Sequence, residues 1–122
     1  MKALYFKKQT GDLGENLAAR YLEKHRFKII ARNFKTNLGE IDILARDKSD
    51  IVIVEVKTKS GEGFGAGFEM VNYFKQRKLL LLAKQIQAEY PDRTVRIDVM
   101  SVDTGKNPPE VKHFENAVED NL

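Results

Sequence analysis

The 122 residues suffice for one domain of ordinary size and are too few for two. Hydrophobic residues make up 42% and charged residues 32%, which excludes a disordered chain, and the lack of cysteine excludes disulfides and thiolate zinc sites. A net charge of +3 permits a polyanionic partner without demanding one.

The opening stretch MKALYFKKQTGD carries an apolar patch too short for a secretory signal, and no segment has the length of a membrane span. Together with the missing cysteines, this leads us to expect a cytoplasmic protein with no membrane partner.

Residues 11–26, GDLGENLAARYLEKHR, read as a helix, with Gly14, Leu17, Ala18, Tyr21 and Leu22 recurring on one face. FKIIARNFKT reads as a first strand and bend, and Asn37 to Gly39 as a turn. Strands follow at 40–46 and 51–58, joined by DKSD. GEGFGAGFE, with glycine at every second position from 61 to 67, is a loop. It fits neither the P-loop nor the dinucleotide glycine pattern. A long helix over 70–89 ends before Pro91, and TVRIDVMSV (94–102) alternates like a strand. DTGKNPP is a loop, and EVKHF reads as a short edge strand. The order α-β-β-β-α-β-β predicts a parallel crossover around the long helix and a mixed sheet with helices on both faces, in one domain over residues 1–122.

The hairpin 39–60, GEIDILARDKSDIVIVEVKTKS, holds the unusual chemistry. With DKSD as its loop, Arg46 faces Ile51, Leu44 faces Ile53, Asp42 faces Glu55 and Glu40 faces Lys57. Ile43 opposite Val54 and Ile41 opposite Val56 then share the other side of the sheet. Two carboxylates with Cβ atoms about 4.5–5.5 Å apart repel, and something must compensate. A shared proton would do so, as would Lys57 on the same face. So would a divalent cation, because Mg²⁺ prefers carboxylate oxygens and takes one or two of them from protein. The plain structural reading is an ion-pair cluster at a strand end.

GEIDILARD followed by IVIVEVKTKS resembles the YraN family of small bacterial proteins, related to the PD-(D/E)XK nuclease superfamily. GDLGENLAARYLEKHRFKIIARNF, FKQRKLLLLAK and VRIDVMSV are similar to the family's opening helix and strand and its later helix and strand. The resemblance implies a restriction-endonuclease-like three-layer α/β/α fold with a central mixed sheet. Asp42 and Glu55 resemble the two metal-binding acids, Lys57 the catalytic lysine, and Glu15 the additional acid from the first helix. Ile41 stands where the superfamily's name has proline. The implied activity is Mg²⁺- or Mn²⁺-dependent hydrolysis of DNA phosphodiesters, branched DNA among the candidate substrates. A non-catalytic nucleic-acid-binding module with the same fold is the alternative. Small resolvase-like nucleases often use two sites to cut two strands, which leaves a homodimer open.

Other residues have two readings. Asp12 and Glu15 have the spacing of a capping box, while the resemblance draws Glu15 to the site. Lys75, Gln76, Arg77 and Lys78 read as a solvated helical face, while the resemblance draws Lys75 and Gln76 near the nucleic-acid backbone, with Lys78 a further binding candidate. Lys7, Lys8, Arg32 and Lys35 are further phosphate-contact candidates or ordinary surface. Asp98 reads as structural, and neither His25 nor His113 is assigned a metal.

Overall fold

The computed structural model of the chain describes residues 12–60 and 72–119. The candidate residues Lys7 and Lys8, the side chain of Asp12 and the glycine-rich stretch 61–67 lie outside the described residues.

The elements follow the predicted order: α1 (Asp12–Lys24), β1 (Lys28–Thr36), β2 (Gly39–Asp47), β3 (Asp50–Lys59), α2 (Tyr73–Glu89), β4 (Val95–Asp103) and β5 (Glu110–Phe114). The strands form one mixed sheet in the order β1-β2-β3-β4-β5. Only β3 and β4 are parallel among these neighbours, because α2 carries the chain back between them. Asn72 caps α2, its side chain accepting the Lys75 N–H at 2.9 Å.

Each helix closes one face of the sheet. Ala18, Ala19 and Leu22 of α1 pack on Ile43, Ala45, Val52, Val54, Met100 and Val102. Leu79, Leu82 and Ile86 of α2 pack on Phe34, Ile41, Leu44, Ile51, Ile53, Ile97 and Val99. This is the three-layer α/β/α arrangement around a mixed sheet expected from the element order. Among the described residues no helix is long and apolar enough to cross a membrane.

Gly14 seats the start of α1. A Cβ at this position would collide with the Thr58 side chain, so glycine lets the helix come close to the end of β3.

Two details of the hairpin differ from the sequence reading. The turn is tighter: Asp47 pairs with Asp50, and only Lys48, at φ 59°, and Ser49 lie between the strands. Ile41 and Ile43 do not share a face either, since Ile41 joins the α2 cluster and Ile43 the α1 cluster. The pairs Arg32–Ile43 and Phe34–Ile41 put Asn33 opposite Asp42. Asn33 adopts the left-handed conformation at φ 50°, which asparagine tolerates better than most residues. The pleat reverses at this pair, and Asp42 lies at the reversal.

Candidate active site

The predicted register holds from Asp47–Asp50 to Ile43–Val54, where the β2–β3 ladder ends although both strands continue. Just past that point the Val56 N–H donates to Asp42 Oδ2 at 2.9 Å. A side chain thus satisfies a strand amide, and Asp42 is fixed beside Glu55.

Glu55 is buried at 5% exposure, at the end of a run of five buried residues beginning at Ile51. Two ammonium groups meet its Oε2: Lys57 Nζ at 3.4 Å from the same strand and Lys75 Nζ at 3.3 Å from α2. Burying a carboxylate is costly unless it is paired, and here two cations pair with one oxygen.

Asp42 is compensated differently. Burial, then the neighbouring Glu55 charge and more weakly Glu15, push its carboxyl up from 3.8 to about 7, against the opposing effects of the Val56 N–H and Lys75. The protein itself thus offers two of the three compensations open to these acids: a raised affinity for a proton at Asp42 and lysines on Glu55.

Glu15 reaches the site from α1 on the opposite layer, close enough to act on Asp42 electrostatically. Its Oε1 lies 3.7 Å from the Arg32 guanidinium, which also donates to Asn16 Oδ1 at 2.8 Å. Arg32 is therefore engaged with α1. On the α2 side a cavity of about 180 Å³ is lined by Gly39, Glu40, Asp42, Lys75, Lys78, Leu79 and Leu82. Lys78 lies at its mouth, exposed. Gln76 is half-buried one residue past Lys75, its backbone N–H bonded to the Asn72 carbonyl. Lys35 is exposed on β1 and pairs across to Glu40 in the β1–β2 register.

Among the described residues no three acidic or imidazole side chains are gathered into a ready metal cage. The donor set nonetheless fits a hard divalent cation. Asp42 and Glu55 supply neighbouring carboxylate oxygens, and a cation would offset both the burial and the Glu55 charge that raise the Asp42 carboxyl.

Sequence reasoning missed the Lys75–Glu55 contact, having read Lys75 only as a phosphate contact or as surface. A 20-residue separation leaves no local trace of such a pair. It also missed a second polar network at the hairpin-turn end of the sheet. There the fully buried Asp98 accepts from Arg96 Nε at 3.0 Å, from the Asn116 N–H at 2.9 Å, and lies 2.8 Å from His113 Nε2. Arg96 also reaches Asp50 at 2.9 Å and Asp47 at 3.1 Å. The alternation VRID, which places Arg96 and Asp98 on one face, was the available signal. A cleft of about 700 Å³ lies beside this network, lined by residues that include Tyr21, His25, Phe27 and His113, none of which belongs to the acidic site.

Comparison with known proteins places the chain among relatives of matching length. It is 45% identical over 117 residues to a UPF0102 protein of Geobacter metallireducens, covering 92% of this chain and 93% of the relative. It is 42% identical over 113 residues to one of Thermodesulfovibrio yellowstonii, covering 89% and 95%. Among solved structures it is similar to the EndoMS–dsDNA2 complex, with 21% identity and a TM-score of 0.47, over 79% of this chain and 38% of that one. The model of the uncharacterised protein family UPF0102 matches residues 14–102, a span that contains Glu15, Asp42, Glu55, Lys57 and Lys75, and the chain belongs to that family, the YraN family its hairpin resembles.

Proposed function

We propose that this protein is a divalent-metal-dependent, endonuclease-like hydrolase of DNA phosphodiester bonds. The observation that carries this is the meeting of Asp42 and Glu55 at the end of the β2–β3 ladder, one acid raised to about 7 and the other held by two lysines. A carboxyl raised by burial and a neighbouring acid, set beside lysines at a cavity, is the kind of group that active sites use.

Asp42 and Glu55 would hold Mg²⁺ or Mn²⁺, which when bound supplies polarisation of a phosphoryl oxygen and an acidified water. Lys57, which lies 3.4 Å from Glu55, would orient the attacking water and stabilise charge growing on the phosphoryl group. Lys75 and Lys78 flank the cavity beside Asp42 and would hold the phosphates on either side of the scissile bond. Glu15 would add a further carboxylate from α1. Branched DNA is one candidate substrate, and a homodimer would present two sites to the two strands of a duplex. A cysteine-free sequence suits the reducing cytoplasm.

The direct test is cleavage of labelled single-stranded, duplex and branched DNA with Mg²⁺ or Mn²⁺ by the wild type, Asp42→Asn, Glu55→Gln and Lys57→Ala. Loss of metal-dependent cleavage in all three folded variants is expected. Undiminished cleavage by Asp42→Asn or Glu55→Gln would remove these acids from the reaction.

One observation favours a second reading. Both lysines clamp Glu55, as they would in a binding module that does not cut. Salt-dependent DNA binding with no cleavage under any divalent ion would select it.

A further inference from the structure

The first turn of α2 breaks two ordinary rules. A helix N-terminus favours acidic residues, yet this one carries none, and Lys75, Arg77 and Lys78 follow its cap. Large aromatic side chains favour burial, yet Phe74 is 79% exposed and Tyr73 53%. The two rings meet edge to face with centroids 5.7 Å apart, and the Arg77 guanidinium lies 5.8 Å from the Tyr73 centroid. Phe74 stands one residue before Lys75, whose Nζ is 3.3 Å from Glu55, and one helical turn before Lys78 at the cavity of Asp42.

Exposed rings interleaved with cations are the composition of a surface that binds unpaired nucleotides. Bases stack on the rings and the backbone follows the cations. Duplex DNA keeps its bases stacked inside and offers such rings little. A purely electrostatic surface for duplex DNA would need the three cations but neither ring.

We infer that Phe74, supported by Tyr73, is a stacking platform for an unpaired base next to the scissile phosphate. The substrate would then be DNA with single-stranded character at the cut, such as a free strand, a flap or the open centre of a branch. This inference rests on the proposed nuclease reading for the word scissile, while the stacking itself does not require cleavage. The platform assigns Phe74 to substrate selection, with Lys75 and Lys78 setting the register of the backbone.

The chain contains no tryptophan, so Phe74→Trp gives one reporter at the platform. The full-length variant is titrated in EDTA with a short single-stranded oligodeoxynucleotide and, separately, with a blunt duplex of the same sequence. Fluorescence reports stacking, and anisotropy of an end label reports binding. Quenching by the single strand but not by the duplex is expected. Phe74→Ala should weaken single-strand binding by about tenfold or more while leaving duplex binding and the salt dependence unchanged, and Phe74→Tyr should retain affinity. Unquenched tryptophan at saturating single strand, equal losses on both DNAs in Phe74→Ala, or no single-strand binding would each overturn the inference. Quenching without metal-dependent cleavage would uphold the platform and count against the nuclease reading, whereas cleavage without quenching would do the reverse.

Discussion

Asp42 accepts the backbone N–H of Val56 at 2.9 Å one step beyond the last β2–β3 pair, Ile43–Val54. A side chain takes the place of a ladder carbonyl there, and the acid is carried next to Glu55 in a partly desolvated gap between the strands. The pH behaviour of the site follows from that placement.

The Asp42 carboxyl, raised to about 7, binds a proton in the folded chain that the unfolded chain releases near 3.8. Its contribution to stability is full below the unfolded value and is lost as pH rises towards 7. The wild type should therefore lose stability relative to Asp42→Asn across this window, by at most about 1.4 kcal/mol per pH unit. Urea melts of both proteins from pH 4.5 to 8 measure the difference, and parallel curves would contradict it.

The same proton competes with a cation. Mn²⁺ affinity should fall by up to about tenfold per pH unit below 7, with close to one proton released per ion. Calorimetry at pH 6 in two buffers of different ionisation enthalpy measures that release. Asp42→Asn and Glu55→Gln should abolish binding, and Mn²⁺ uptake unchanged by either substitution would place the metal elsewhere.

Gly14 holds α1 against the end of β3. Alanine is the better helix former by roughly 1 kcal/mol, but its methyl group would overlap Thr58. The overlap should win, so Gly14→Ala is expected to destabilise the fold by about 1–2 kcal/mol. Thr58→Ala should recover much of the loss in the double variant. Denaturant midpoints of the four proteins of this cycle would show it, and a stabilised Gly14→Ala would mean that the close approach does not constrain the helix.

At the other end of the sheet, burial raises the Asp98 carboxyl, but the hydrogen bonds from His113, Arg96 and the Asn116 N–H more than reverse this and hold it below 3.8. Its stabilisation is present above the unfolded value and lost as pH falls through the lower folded one. Asp98→Ala leaves Arg96 short of its buried partner and should cost about 3–5 kcal/mol at neutral pH. Arg96→Met combined with Asp98→Leu should cost less than the two single losses added together. Additive losses in equilibrium unfolding would show that the pair does not act as a unit.

The order of elements, the parallel crossover and the hairpin register near its turn follow from periodicity, which depends on residues two to four positions apart along one element. The acids Asp42 and Glu55 stood out in the sequence for the same reason, as charges in a run otherwise apolar on both faces. Packing between layers decided the rest. The pleat reverses at Asn33 and Asp42, so Ile41 lies on the α2 face and Ile43 on the α1 face, which alternation along one strand does not reveal. Lys75 completes the surroundings of Glu55 only because α2 folds back over β3, and the Asp42 carboxyl is raised to about 7 only because burial and a neighbouring acid act on it together. Charge pairing and desolvation depend on distances through space, and the tertiary fold sets those distances.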